Sequence, residues 1–351
     1  RQELINTGHV DAIIAIGTNF FYTRSLPCTL WFFDKAKPAE RQDTVLVIDA
    51  RSIYRVVTRK IRDFSNEQLQ NLAAIVWLHR GEQVRYLELV GKYLARTHEL
   101  AAEVAMPLEC MREPLTDLAQ RLEVYAGILE AELTQKPAEA NAVTAENVAA
   151  LRRLIGEQQV AVAALHDECG STLERIQEQA ACAGSLDATA LADSANLHQL
   201  HDRFVPLGEG LRSVQKHVNE AYKLTELALS NAEKVLGARR HSAWDNAGVR
   251  KTTDILTDER DRVVETIRQC LYIFAQATWL QSRFPTAEFT PVPGLCAAVP
   301  RNEIESHDSS LTPGRYVGVA PDNLEDDEEF EQRLEQIHIE LSALDEESMQ
   351  I

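Results

Sequence analysis

The period of the hydrophobic positions changes along the chain, and the changes divide it. Near the N-terminus three apolar runs, Val10 to Ile16, Cys28 to Phe33 and Val45 to Ile48, are rich in β-branched or aromatic residues and bounded by charges or turn formers. That pattern predicts three strands. They show little polar alternation, so the sheet they build is expected to be buried on both faces, as in α/β folds. The link from Asp34 to Thr44 contains Pro38 and is too short to hold a crossover helix. The second and third strands are therefore expected to be antiparallel neighbours. Three strands without further partners make a poor domain, which suggests a sheet whose other strands precede Arg1.

From Asn66 onward the period becomes helical. Ser65 with Gln68 three residues on forms a capping box ahead of Leu69, Leu72, Ile75, Val76 and His79, the spacing of one buried face. Helices are predicted over Val84 to Lys136, Thr144 to Ala183, Leu186 to Leu236 and Ile255 to Phe284, all dominated by Ala, Leu, Glu and Gln. One stripe runs through Leu115, Leu118, Leu122, Tyr125, Leu129 and Leu133, and a second through Leu151, Leu154, Ile155, Gln158, Val162 and Leu165. Such stripes predict a helical hairpin or antiparallel coiled coil. Pro107, Pro114, Pro137 and Pro206 with Gly208 and Gly210 are the expected breaks or kinks.

After Phe284 the chain becomes rich in Pro and Gly, with Pro285, Pro291, Pro293, Gly294, Pro300, Pro313 and Gly314. This passage is expected to lie over other structure and to form no core of its own. Asp322 to Glu347 then carries twelve acidic residues against one basic one, Arg333, with Phe330, Leu334, Ile337, Leu341 and Leu344 at helical spacing. It reads as an amphipathic acidic helix, either a solvated tail or a docking arm. The expected fold is mostly α with a small α/β part, divided at 1–82, 83–284 and 285–351.

Composition narrows the functional classes. The 351 residues are 45% hydrophobic, enough for a sizeable core. The start at Arg1 carries no signal-peptide succession and looks like the inside of a longer chain. No run approaches the roughly 18 uninterrupted apolar residues of a membrane span. Cys28, Cys110, Cys169, Cys182, Cys270 and Cys296 lie far apart, which favours a reduced, cytoplasmic setting over disulfides or zinc. His198 and His201 share a helical face but lack a third ligand, so no metal is expected. The formal charge of −18 excludes a surface that is basic throughout, so any DNA contact must be local or supplied by partners. Composition alone also fits a non-enzymatic helical scaffold or adaptor.

Two separated segments carry a resemblance. Ser310-Leu311-Thr312-Pro313-Gly314-Arg315-Tyr316-Val317-Gly318 is similar to the SLxPGRYVG signature near the C-terminus of type I restriction-modification methyltransferase (modification) subunits. It follows Val292-Pro293-Gly294-Leu295-Cys296 and Glu303-Ile304, as in one branch of that family. At the other end, Arg1-x-x-Leu4, Val10-Asp11-Ala12-Ile13-Ile14, Asn19-Phe20-Phe21-Tyr22-Thr23 and Leu26-Pro27-Cys28 resemble the stretch that follows the catalytic loop in the same enzymes. The likeness covers roughly 1–82 and 285–351, and the helical body between them resembles an insertion.

The resemblance implies the C-terminal strands of a Rossmann-like sheet and, in the parent enzyme, methyl transfer from S-adenosylmethionine to N6 of adenine in duplex DNA. It further implies a specificity subunit, a second modification subunit and a restriction subunit as partners, and a flipped target base. The family's glycine-containing donor loop and its Asn-Pro-Pro-Phe/Tyr segment are not found in this sequence. No cofactor is therefore expected on this part of the enzyme, and no methyl transfer by it alone.

Candidate contacts follow. Asn19, Phe20, Phe21, Tyr22 and Thr23 leave the first strand, where open α/β sheets place ligands; they read either as loop packing or as a wall of the target-base pocket. Arg51, Arg55, Arg59, Lys60 and Arg62 form the densest basic run. The first three lie four apart, so a shared helical face could meet DNA phosphates; local ion pairing is the other reading. Arg315 and Tyr316, on a Pro-Gly turn, read either as a clamp pinning the tail or as a DNA or partner contact. Arg239, Arg240, Arg250 and Lys251 bracket what reads as a short polar link.

Overall fold

The computed structural model describes residues 1–21, 25–58, 60–135, 145–183, 193–310 and 312–319. Internal contacts separate Arg1–His79 with the segment from Phe289 onward from Arg80–Glu288. The first unit contains α1 (Gln2–Asn6), β1 (Val10–Ile16), β2 (Cys28–Phe33), β3 (Thr44–Ala50), β4 (Arg55–Thr58), β5 (Ile61–Asp63) and α2 (Asn66–His79). The returning chain adds β6 (Cys296–Pro300) and α8 (Arg301–Ser306). The acidic stretch 322–347 lies outside the described residues, as do Tyr22, Thr23, Arg59 and Pro137.

β1 is buried along its whole length, and β3 at every position but Thr44. They run parallel, with Ala12 beside Leu46 and Ile16 beside Ala50. A parallel pair has to be covered on both faces. On one face Ile5, Val10, Ile13, Val45, Val47, Val299, Ile304 and Val317 form a core that joins both ends of the chain, and α2 packs against β3. The sheet order is β2-β1-β3-β6. β2 is antiparallel to β1, and β6 is antiparallel to β3.

This order corrects the expectation that β2 and β3 are neighbours. They do run in opposite directions, but β1 lies between them. Because β2 ends beside the start of β1, the link 34–43 only has to step across one strand, two spacings of about 4.8 Å, and needs no helix. Lys37 in that link is buried, and its Nζ donates to the carbonyls of Val10 at 2.7 Å and Thr44 at 2.5 Å. It clips the starts of β1 and β3 together, and burial lowers its pKa. Buried Asp11 is met there by Arg41 at 3.0 Å.

The capping box forms as read. Ser65 N–H donates to Gln68 Oε1 at 3.0 Å, and Gln68 N–H donates to Ser65 Oγ at 3.1 Å.

The second unit is helical: α3 (Gln83–Glu103), α4 (Ala105–Gln135), α5 (Ala145–Ala183), α6 (Ser194–Ser230) and α7 (Asn246–Arg283). At 1.5 Å per residue α5 is about 58 Å long. All five share one core, to which both predicted stripes contribute: Leu118 and Leu122 from α4 and Leu151 and Ile155 from α5 are buried. Arg152 of α5 reaches Glu130 of α4 at 2.8 Å and also pairs with Glu123. Gln158, buried in α5, donates to Thr225 of α6 at 3.3 Å.

Three boundaries differ from expectation. The break between α3 and α4 falls at Val104, whereas Pro107 sits in the first turn of α4, where a missing N–H costs least, and Pro114 lies inside that helix. α6 runs on through Pro206. Side chains of α5 serve its weakened turn: Gln179 Nε2 donates to the Arg203 carbonyl at 2.5 Å and Arg175 Nη1 to the Pro206 carbonyl at 3.4 Å. Gly210 is no break but a close approach, since a Cβ there would lie 3.0 Å from Thr172 Oγ1. Finally, α7 starts at Asn246, because Asp245 Oδ1 accepts from Gly248 N–H at 3.0 Å. Arg239 and Arg240 on one side and Arg250 and Lys251, in the first turns of α7, on the other thus flank the short link at 241–245.

Ser65→Ala removes one arm of the capping box and is expected to cost about 1 kcal/mol in denaturant unfolding. A cost indistinguishable from zero would mean that the box contributes nothing to the start of α2.

Candidate nucleic-acid interface at the carboxyl edge of the sheet

Because β1 and β3 are parallel and end side by side at Ile16 and Ala50, both chains leave the sheet at one edge. Open parallel sheets present ligands at this edge. The two exits touch: a Cβ on Gly17 would lie 2.7 Å from the Arg51 carbonyl oxygen, so only glycine fits. Asn19 then takes a left-handed φ of 69°, and its carbonyl accepts from Arg62 N–H at 2.9 Å. That bond ties the β4–β5 hairpin to the β1 exit. Phe20 meets Phe64 with ring centroids 4.7 Å apart, and Phe21 is exposed. Of the five residues considered for the base pocket, Asn19, Phe20 and Phe21 are thus at this edge, while Tyr22 and Thr23 are outside the described residues.

The basic run does not form a helical face. Arg51 is in the turn after β3, Arg55 opens β4, Lys60 is in the hairpin turn and Arg62 is in β5; Arg59 is outside the described residues. Val56, Val57 and Thr58 favour an extended chain, and pairing with β5 overrides the four-residue spacing of the arginines. Arg51 forks onto Asp49, with Nε 2.8 Å from Oδ1 and Nη2 2.5 Å from Oδ2. Arg55 forks across the hairpin onto Asp63 at 2.9 and 2.8 Å. The hydrogen bonds from Arg55 hold the Asp63 carboxyl below the usual range. Arg62 lies over the Tyr54 ring, 3.9 Å from its centroid. The Lys60 side chain is exposed, with no ion pair among the described residues.

The tail closes over the same edge. A tight turn at Pro313–Arg315 contacts β1 and β3. It is held by Gly294 N–H donating to the Val317 carbonyl and by Asp49 N–H donating to the Leu295 carbonyl, both at 2.7 Å. Tyr316 Oη donates to the Ser310 carbonyl, its ring meets His307 edge-on, and burial pushes its pKa up. Arg315 is exposed and makes no ion pair among the described residues. Sequence reasoning missed that Gly314 lies against Arg51: a Cβ there would be 2.8 Å from Nη2. Among the described residues no group of three or more His, Cys, Asp and Glu side chains is placed to hold a metal, and no helix is long and apolar enough to cross a membrane.

The parallel pair, its exits in contact at Gly17 and overlaid by the Pro-Gly-Arg-Tyr turn, belongs to a small mixed sheet with both exits at one edge. Comparison with known proteins places it more closely. Residues 1–94 match the N-6 DNA Methylase family. Over 72 residues, 20% of this chain and 13% of the relative, it is 32% identical to the type I restriction enzyme MjaIX methylase subunit of Methanocaldococcus jannaschii. Over 73 residues, 21% of this chain and 16% of the relative, it is 32% identical to the type I restriction enzyme HindI methylase subunit of Haemophilus influenzae. The matched stretch is thus less than a fifth of either relative's length. No solved structure matches the chain.

The Asp63 titration tests the hairpin pair. A depressed folded pKa means that the pair stabilises fully above the unfolded value of about 3.9 and that this stability is lost as pH falls through the lower folded value. Carboxyl NMR should give Asp63 a midpoint below that of an unpaired aspartate, and Arg55→Gln should raise it. An unshifted midpoint in the parent chain would rule the fork out in solution.

Proposed function

We propose that the chain is the C-terminal portion of the modification subunit of a type I restriction-modification system. In this reading the parent transfers a methyl group from S-adenosylmethionine to N6 of adenine in duplex DNA. The present chain completes the methyltransferase sheet and docks the specificity subunit through its helical unit. A second modification subunit shares that specificity subunit, and a restriction subunit joins for cleavage. The assembly is expected to be cytoplasmic. The chain itself carries no Asn-Pro-Pro segment to grip the adenine amino group and is expected to be inactive alone.

The observation that carries this reading is the state of β2, which lies within the family match. It is an edge strand with apolar side chains exposed on both faces: Leu30 is 41%, Phe32 46% and Phe33 52% accessible. An edge strand also leaves one row of N–H and C=O groups unpaired. Such an edge suits a further strand and covering helices, as the missing part of a methyltransferase sheet would supply. The helical unit, with a core of its own, suits the role of an assembly element.

Size-exclusion chromatography with light scattering on the chain mixed with the specificity subunit encoded beside it tests the docking. A co-eluting complex is expected, with no methyl transfer to duplex DNA by the chain alone. Separate elution of two folded proteins would favour a free-standing helical scaffold, and methyl transfer by the pure chain would overturn the incomplete-enzyme reading.

A further inference from the structure

The turn Pro313–Arg315 and the exit of β3 are far apart in sequence, yet Gly314 comes up against the tip of the Arg51 side chain, where a Cβ would lie 2.8 Å from Nη2. Arg51 is already oriented, since its Nε and Nη2 are committed to Asp49. Nη1 makes no hydrogen bond among the described residues, and the side chain is 55% exposed. The next residue after Gly314 is Arg315, exposed and without an ion pair among the described residues. Its neighbour Tyr316 is anchored through the Ser310 carbonyl and His307, so the turn that presents Arg315 is fixed while its long side chain is free.

The whole chain has a formal charge of −18; residues 1–79 carry ten Lys and Arg against eight Asp and Glu, while the segment from Phe289 onward carries three against fifteen, twelve of these between Asp322 and Glu347. The hairpin bearing exposed Lys60 is fastened to the β1 exit by the bond from Arg62 to Asn19. Cations from β3, the hairpin and the tail therefore border one sheet edge, an arrangement suited to a polyanion and not to a single carboxylate.

Building on the methyltransferase reading above, we propose that Arg51 and Arg315 grip a backbone phosphate of duplex DNA at the carboxyl edge of β1 and β3. The turn Pro313–Arg315, packed against β1 and β3, carries Arg315 to the edge where Arg51 stands. Arg51 supplies a fixed donor, with Asp49 preventing its collapse onto other acidic groups, and Arg315 closes from the tail. The contact carries no base specificity, so it acts on every sequence alike.

Fluorescence anisotropy of a short labelled duplex, titrated with the chain over a series of low salt concentrations, tests the grip. Arg315→Gln should weaken binding and lower the slope of log affinity against log salt by about one, the loss of one phosphate contact. Arg315→Lys should keep most of the slope. Arg153→Gln on the exposed face of α5 should change nothing. Wild-type affinity and slope in Arg315→Gln, or no salt-dependent binding by the unaltered chain, would overturn the proposal. If that happens while the specificity subunit still co-elutes, the phosphate grip alone fails. If co-elution fails while the Arg315 effect holds, it is the docking that falls.

Discussion

Parallel pairing of β1 with β3 is the constraint on which the first unit depends. A parallel strand cannot be reached by a hairpin and cannot face water on either side. The chain meets the first demand by placing antiparallel β2 on the far side of β1, so that a short link clipped by Lys37 suffices. It meets the second by covering one face with α1, α8 and the tail and by packing α2 against β3. The same pairing brings both strand exits to one edge, which is why Gly17, the basic hairpin and the Pro-Gly-Arg turn meet there.

The recruitment of residues after Phe289 follows from that constraint. Without β6, β3 would be an open edge beside a fully buried strand; pairing Thr44 with Pro300 through Ile48 with Cys296 closes it. Pro300 ends the strand, a position where its missing N–H costs little. Nothing comparable closes β2 among the described residues, and its aromatic side chains stand in solvent. The contrast between a covered edge and an uncovered one within a single sheet, among the described residues, is the observation behind the proposal that further strands belong beside β2.

Legibility in the sequence tracked how local each determinant is. The capping box, the strand cores and the leucine stripes depend on residues a few positions apart, and they stand where the periodicity put them. Strand adjacency does not, because direction follows from link length but the choice of neighbour follows from burial. The run Cys296–Pro300 has few β-branched residues and becomes a strand only beside β3. Pro206 and Gly210 look like breaks in isolation and are accommodated by donors and a close contact from α5. At the candidate site the residue types were visible but their arrangement was not: the arginine spacing suggested a helix, and the contact of Gly314 with Arg51 joins opposite ends of the chain.

Amide hydrogen exchange of β2 would test the central claim directly. In the chain alone, the amides of residues 28–33 that do not bond to β1 are expected to exchange rapidly. In the assembled modification enzyme they should become strongly protected as the rest of the sheet adds to that edge. Rapid exchange that persists in the assembled enzyme would show that β2 is a true outer edge and would contradict the account of an incomplete sheet.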